Sequence, residues 1–138
     1  MASGVIEVAA GLVEREGRIL ITQRPPGSHL AGLWEFPGGK REPGETWEAC
    51  LVRELQEELA ITVTVGRLRH ETVHHYPDKS VHLRFYAASL SSGEPQAIEC
   101  AGVAWVWPRH LVDYAFPEAD RGQRARRATS SRSASGKA

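Results

Sequence analysis

Cysteine is nearly absent from this chain, with Cys50 and Cys100 the only two among 138 residues. Two thiols so widely separated form neither a zinc-ligand pattern nor a disulfide framework, so they read as buried free thiols. Long apolar runs are missing too. No stretch approaches the roughly 20 residues a helix needs to cross a bilayer, which excludes a helical membrane span. The opening Met1-Ala2-Ser3-Gly4 runs straight into an alternating apolar segment, without the basic start and apolar stretch of a signal peptide, so the expected location is the cytoplasm. Internal repeats and an interdomain linker are also lacking, and the length suits one domain. Acid is missing only at the end: from Arg121 onward there are six Arg or Lys and no Asp or Glu. The body before Arg121 therefore holds 11 basic against 17 acidic residues, a charge of about −6 hidden beneath a formal net charge of zero. Such an acidic body can bind a polyanion only through metal ions or a local basic cluster.

The pattern along the chain predicts an α/β (α+β) fold with a mixed sheet. Residues 5–13 and 18–24 are apolar, β-branched runs around Glu14-Arg15-Glu16-Gly17, the signature of a hairpin. Pro25-Pro26-Gly27 breaks the chain, residues 33–36 read as a short strand, and Pro37-Gly38-Gly39 opens a loop expected to run to Gly44. The strongest signal is a helix over residues 46–59, with Thr46 as N-cap, Glu48 in the first turn, and Ala49, Leu51, Val52, Leu55 and Leu59 at helical spacing. Extended segments at 61–75 and 81–90 flank Tyr76-Pro77-Asp78-Lys79. A third, at 103–107, precedes Pro108 at the start of a short helix. The domain is expected to cover residues 1–120. Residues 121–138, rich in Ser and Arg, bury too little apolar surface to offset their ordering entropy and are expected to be a disordered tail.

Glu54, Glu57 and Glu58 stand at i, i+3 and i+4, within one arc of that helix. Alone, such a cluster reads as a solvated face; the mutual repulsion is relieved if hard divalent cations sit among the oxygens. The surroundings carry more. Gly39, Glu45, Arg53-Glu54-Leu55, Glu57-Glu58 and Ile61 stand at the spacing of the Nudix box, G-x5-E-x7-R-E-U-x-E-E-x-G-U, with U a bulky aliphatic residue. One position departs: Ala60 replaces the last glycine, and if it ends the helix in left-handed geometry it costs roughly 1 kcal/mol. With Leu33-Trp34-Glu35-Phe36-Pro37-Gly38-Gly39-Lys40 added, the chain resembles the MutT-like branch of the Nudix hydrolases, the resemblance running from about Val5 to Asp120.

That resemblance implies a Nudix fold, with the mixed sheet sandwiched between helices, and an Mg2+-dependent nucleoside triphosphate pyrophosphohydrolase that cleanses nucleotide pools of species such as 8-oxo-dGTP. Mn2+ is an expected substitute. By the same likeness Glu54, Glu57, Glu58, Glu99 and the Gly38 carbonyl would hold metal, and Glu54 would direct or deprotonate water, with Glu99 its competitor. Arg53 would orient its neighbours by charge-assisted hydrogen bonds. For Glu45, a structural salt bridge and a metal contact stay open. Arg24, Lys40 and Glu35 are substrate-binding candidates, Arg24 and Lys40 toward phosphate. Tyr76 and Phe116 could flank a base, although core packing also suits Phe116. Asp120 stands where the family segment carries an asparagine that reads oxidised guanine. An ionised carboxylate only accepts hydrogen bonds, so cytidine nucleotides become an alternative.

Other readings keep the box and change the substrate, to ADP-ribose, a dinucleotide or capped RNA, or make the domain a nucleotide sensor without turnover. The basic tail could bind nucleic acid, but six charges without aromatics do not establish it, and no stable nucleic-acid partner is expected. A monomer or a homodimer fits the sequence. His29, His74 and His75 match no zinc spacing, and Trp34, Trp47, Trp105 and Trp107 read as packing and strand residues.

Overall fold

The computed structural model describes residues 4–117. Strand β1 (Val5–Arg15) turns back into β2 (Arg18–Gln23) through Glu16 and Gly17, both at positive φ, the two-residue turn whose twist matches a hairpin. Then follow β3 (Trp34–Glu35), β4 (Gly38–Lys40), helix α1 (Trp47–Leu59), β5 (Thr62–Tyr76), β6 (Lys79–Ser92), β7 (Gly102–Val106) and a 3-10 helix (Pro108–Asp113). The strand order is β3-β2-β1-β6-β5, with β7 along β2 and β4 along β1. β1 and β6 run parallel and the remaining pairs antiparallel, so the sheet is mixed, as the sequence predicts.

Alternation along β1 gives the sheet two buried faces. Ala9 and Val13 join Leu20, Val63 and Tyr86 beneath α1, which contributes Cys50, Leu51, Leu55 and Leu59. Ala10 and Leu12 point the other way, into a cluster with Ile19, Ile21, Phe36, Phe85, Leu111 and Phe116. Helix α1 thus covers one face and the 3-10 helix with Phe116 caps the other. The buried stripe of α1 is narrower than predicted. Leu51, Leu55 and Leu59 recur every fourth residue, while Ala49 is exposed and Val52 half-buried.

Within the loop predicted from Pro37 to Gly44, Gly38–Lys40 is instead a strand. Gly38 and Gly39 pair with Ala10 and Ala9 of β1, because only small residues let the chains approach so closely. A Cβ on Gly38 would lie 1.9 Å from the Ala9 carbonyl oxygen. Consequently β1 shares one edge between β4 near its start and β2 at its end. The helix begins as predicted, with the Thr46 hydroxyl accepting the Ala49 N–H at 3.0 Å. It ends at Ala60 with φ 58°, the left-handed conformation in which alanine is strained.

Candidate active site

The pairing of β4 determines what the glycine strand offers the site. Arg41 N–H bonds the Glu7 carbonyl and Gly11 N–H bonds the Pro37 carbonyl. In an antiparallel ladder the residues between these bonded pairs turn their polar groups to the opposite side. The carbonyls of Gly38 and Lys40 therefore face away from β1. That of Lys40 accepts from Arg53 at 3.1 Å, and that of Gly38 is directed to the same side.

Arg53 is the hub of the first turns of α1. Its guanidinium forks onto both Glu45 oxygens at 2.6 and 2.9 Å, and reaches Glu54 at 3.0 Å and Glu57 at 3.2 Å. Glu45 stands in an ion pair: Arg53, helped by the Glu42 N–H, holds its carboxyl down at about 2. Glu54 lies over Gly39, where an added Cβ would come 2.2 Å from its carboxyl group, so this glycine is the space Glu54 occupies. Burial raises the Glu54 pKa; Arg53 opposes that shift, and Glu57 and Glu99 add to it.

Glu58 has no such paired cation; the charge of Arg24 acts on it without forming an ion pair. Its side chain is half-buried, and among the described residues no hydrogen bond or ion pair to its carboxyl is present. Burial first, and then the charges of Glu35, Glu54 and Glu99, push it up to about 8. The segment carrying Glu99 is tied to the helix end by Gln96 N–H to the Leu59 carbonyl and Ile98 N–H to the Glu58 carbonyl, and to β2 by Ala101 N–H to the Gln23 carbonyl. These bonds satisfy the last carbonyls of α1 and bring Glu99 to the acidic cluster. Hard oxygen donors in mutual repulsion are the donor set a divalent cation of the Mg2+ or Mn2+ type takes. Among the described residues no three His, Cys, Asp or Glu side chains close around one point, and Glu57 is 54% exposed, so the arrangement supplies ligands without a finished cage.

Beside this cluster a cleft of about 340 Å3 opens above β1 and β6, floored by Ile6, Val8, Val81 and Leu83. It continues into a recess of about 240 Å3 against Gly38 and Gly39. Arg24, Glu35 and Lys40 border both parts. Arg24 donates to Glu35 at 3.2 Å, and burial raises the Glu35 pKa against that pairing. Tyr76 and Lys79 reach the cleft from the β5–β6 turn, and His29 meets Tyr76 edge-on at 6.5 Å. Of the sequence candidates, Arg24, Glu35, Lys40 and Tyr76 are thus brought together. Phe116 is not: it is 1% exposed and packs on Phe36 in the core, so its expected place beside a base is corrected. Asp120 and the basic tail lie outside the described residues. Sequence reasoning missed Lys79 and the aliphatic floor as cleft residues, because it is the long parallel pairing of β1 with β6 that sets Ile6 beside Val81 and Val8 beside Leu83.

The remaining candidates separate from the site. His74 stacks on Tyr76 and His75 bonds Ser80, and both cysteines are free. A groove of about 460 Å3 lined by Arg18, Trp105, Trp107, His110, Asp113 and Tyr114 contains none of the clustered glutamates.

Comparison with known proteins agrees with this geometry. The model of the NUDIX domain matches residues 8–123. The "CTP pyrophosphohydrolase" of Escherichia coli K12 is 41% identical over 116 residues, covering 84% of this chain and 86% of the relative. The "8-oxo-dGTP diphosphatase" of Haemophilus influenzae is 39% identical over 121 residues, covering 87% and 89%. Among solved structures, the solution structure of the E. coli ORF135 protein superposes with a TM-score of 0.74 at 40% identity, covering 86% of this chain and 84% of that one. With the box, the fold and these relatives in agreement, the chain belongs to the Nudix hydrolase family.

Proposed function

We propose that the protein hydrolyses nucleoside triphosphates to the monophosphate and pyrophosphate, with the polyphosphate beside α1 and the base in the Tyr76 cleft. The observation that carries this reading is Glu58, a carboxyl without an ion pair among Glu35, Glu54 and Glu99, of which Glu35 lines a cleft sized for a nucleoside. Glu54, Glu57, Glu58, Glu99 and the Gly38 carbonyl would hold Mg2+ or Mn2+. Bound there, the cation supplies charge neutralisation on the polyphosphate and lowers the pKa of water. The other parts belong to the chain. Glu54, half-buried and oriented by Arg53, takes the proton of the attacking water. Arg24 and Lys40 face the phosphates, Glu35 aims Arg24, and Tyr76 stacks on the base.

The names of the relatives support two substrate classes. An oxidised purine such as 8-oxo-dGTP is the first; cytidine nucleotides are the second, favoured by Asp120 in place of an amide and by the CTP pyrophosphohydrolase relative. A panel of canonical and oxidised nucleoside triphosphates with Mg2+, following pyrophosphate against orthophosphate, separates them. Pyrophosphate is the expected first product. Orthophosphate as the first product would reject the proposal.

A further inference from the structure

We infer that Arg41 is a positioning residue for this reaction: it anchors the loop entering α1, so that Glu45 can orient Arg53 and, through it, Glu54 and Glu57. The inference rests on the reading of the site above. Arg41 occupies one of the unspecified positions of the Nudix box and touches none of the proposed metal ligands. Its side chain is nevertheless fully engaged. Nε donates to the Glu7 carboxylate at 2.9 Å and Nη2 bonds the same oxygen, while Nη1 donates to the Glu45 carbonyl at 2.7 Å. Its own N–H bonds the Glu7 carbonyl at 2.8 Å. The guanidinium also lies 5.5 Å from the Trp47 ring, which Arg84 approaches at 4.4 Å.

The loop's other ties are its own Glu42–Glu45 hydrogen bonds and Arg53, so Arg41 is what joins it to β1. Glu42, Pro43 and Gly44 are exposed, and nothing lies within 4 Å of a Cβ built on Gly44. By gripping Glu45 through its backbone, Arg41 leaves both Glu45 carboxylate oxygens within reach of the fork of Arg53, one of them shared with the Glu42 N–H. The path therefore runs from β1 through Glu7, Arg41, Glu45 and Arg53 to the metal-facing side chains. Each link is a charge-assisted hydrogen bond or a backbone contact. Supporting contacts around ligands commonly control metal affinity tenfold or more, and Arg41 stands one link further back.

The test is a Mn2+ titration of the whole protein, reading the free ion by electron paramagnetic resonance, alongside steady-state kinetics. Arg41→Ala is expected to weaken Mn2+ binding about threefold to tenfold and to lower kcat by a similar factor, with nucleotide KM changed less than about twofold. Arg41→Lys, which can keep one of the two anchors, should recover part of both. Arg15→Ala is the control, because it removes a comparable surface pair with Glu94 and a contact with Trp105 far from the loop; it should leave Mn2+ binding and kcat unchanged. If Arg41→Ala fails to fold, Glu7→Gln weakens the same anchor without shortening a side chain and must move the Mn2+ midpoint in the same direction. Wild-type binding with an unmoved midpoint in these variants overturns the inference alone. A wild-type protein that binds no Mn2+ overturns the site assignment and the inference with it.

Discussion

At one end of the cleft Glu35, Glu54, Glu58 and Glu99 crowd around the end of α1, while at the other Ile6, Val8, Val81 and Leu83 form an apolar floor edged by Tyr76, Lys79 and His29. The acidic end concentrates like charge that a bound cation or a proton relieves, so its energetics are electrostatic and unforgiving of a misplaced oxygen. The apolar end works by burial and stacking, where each contact contributes about 1 kcal/mol and substitutions are graded. Chemistry should thus reside at the first end and selectivity at the second.

The sharpest way to break this contrast is Glu54→Gln. Turnover is expected to fall by about three orders of magnitude or more while folding stays intact, since an amide cannot accept the proton of water. Stopped or quenched assays against thermal unfolding check it, and turnover within tenfold of wild type would move the base to Glu99. Next in size is Gly38→Ala. With its Cβ directed into the Ala9 carbonyl, β4 must leave β1, at a cost of about 3 kcal/mol in denaturant unfolding and with loss of activity. At the apolar end, Tyr76→Leu should change kcat little and raise KM about threefold to tenfold, the size of one lost stacking contact. An equal fall in kcat would show that the cleft takes part in the chemical step. The smallest change is Ala60→Gly, outside both regions. Relief of left-handed strain should stabilise the fold by about 1 kcal/mol, seen as a rise in Tm of roughly 3–5 °C with kcat unaltered.

The same contrast separates what the sequence revealed from what it concealed. The acidic end was legible because its spacing is local: i, i+3 and i+4 on one helix define an arc whatever the rest of the chain does, and Thr46 marks where that helix starts. The ion pair of Arg53 with Glu45 was half legible, since the two stand eight residues apart across a loop whose course a sequence does not fix. Strand β4 was hidden because Pro-Gly-Gly signals a turn unless an opposing strand of alanines lets glycine pair closely. The apolar end was least legible. Its floor joins Val8 to Leu83 through a parallel crossover, and nothing local distinguishes a strand residue under a cleft from one under a helix. Phe116, which the sequence left between a base contact and core packing, is turned into the core against Phe36.

The central claim is that a divalent cation completes the site at Glu58, where the pull of Arg24 does not offset burial and three neighbouring glutamates. A carboxyl whose pKa in the folded protein is raised to about 8, from an ordinary 4.5, is mostly protonated at pH 7. Folding then takes up a proton between these two values, so this group makes the metal-free protein lose stability as pH rises from 4.5 to 8. Cation binding must expel that proton. Calorimetric titration of Mg2+ at pH 7, in buffers of different ionisation enthalpy, is expected to show release of about one proton, with affinity rising toward pH 9 and the release abolished in Glu58→Gln. Mg2+ binding with no proton released and the same affinity from pH 6 to pH 9 would contradict the claim.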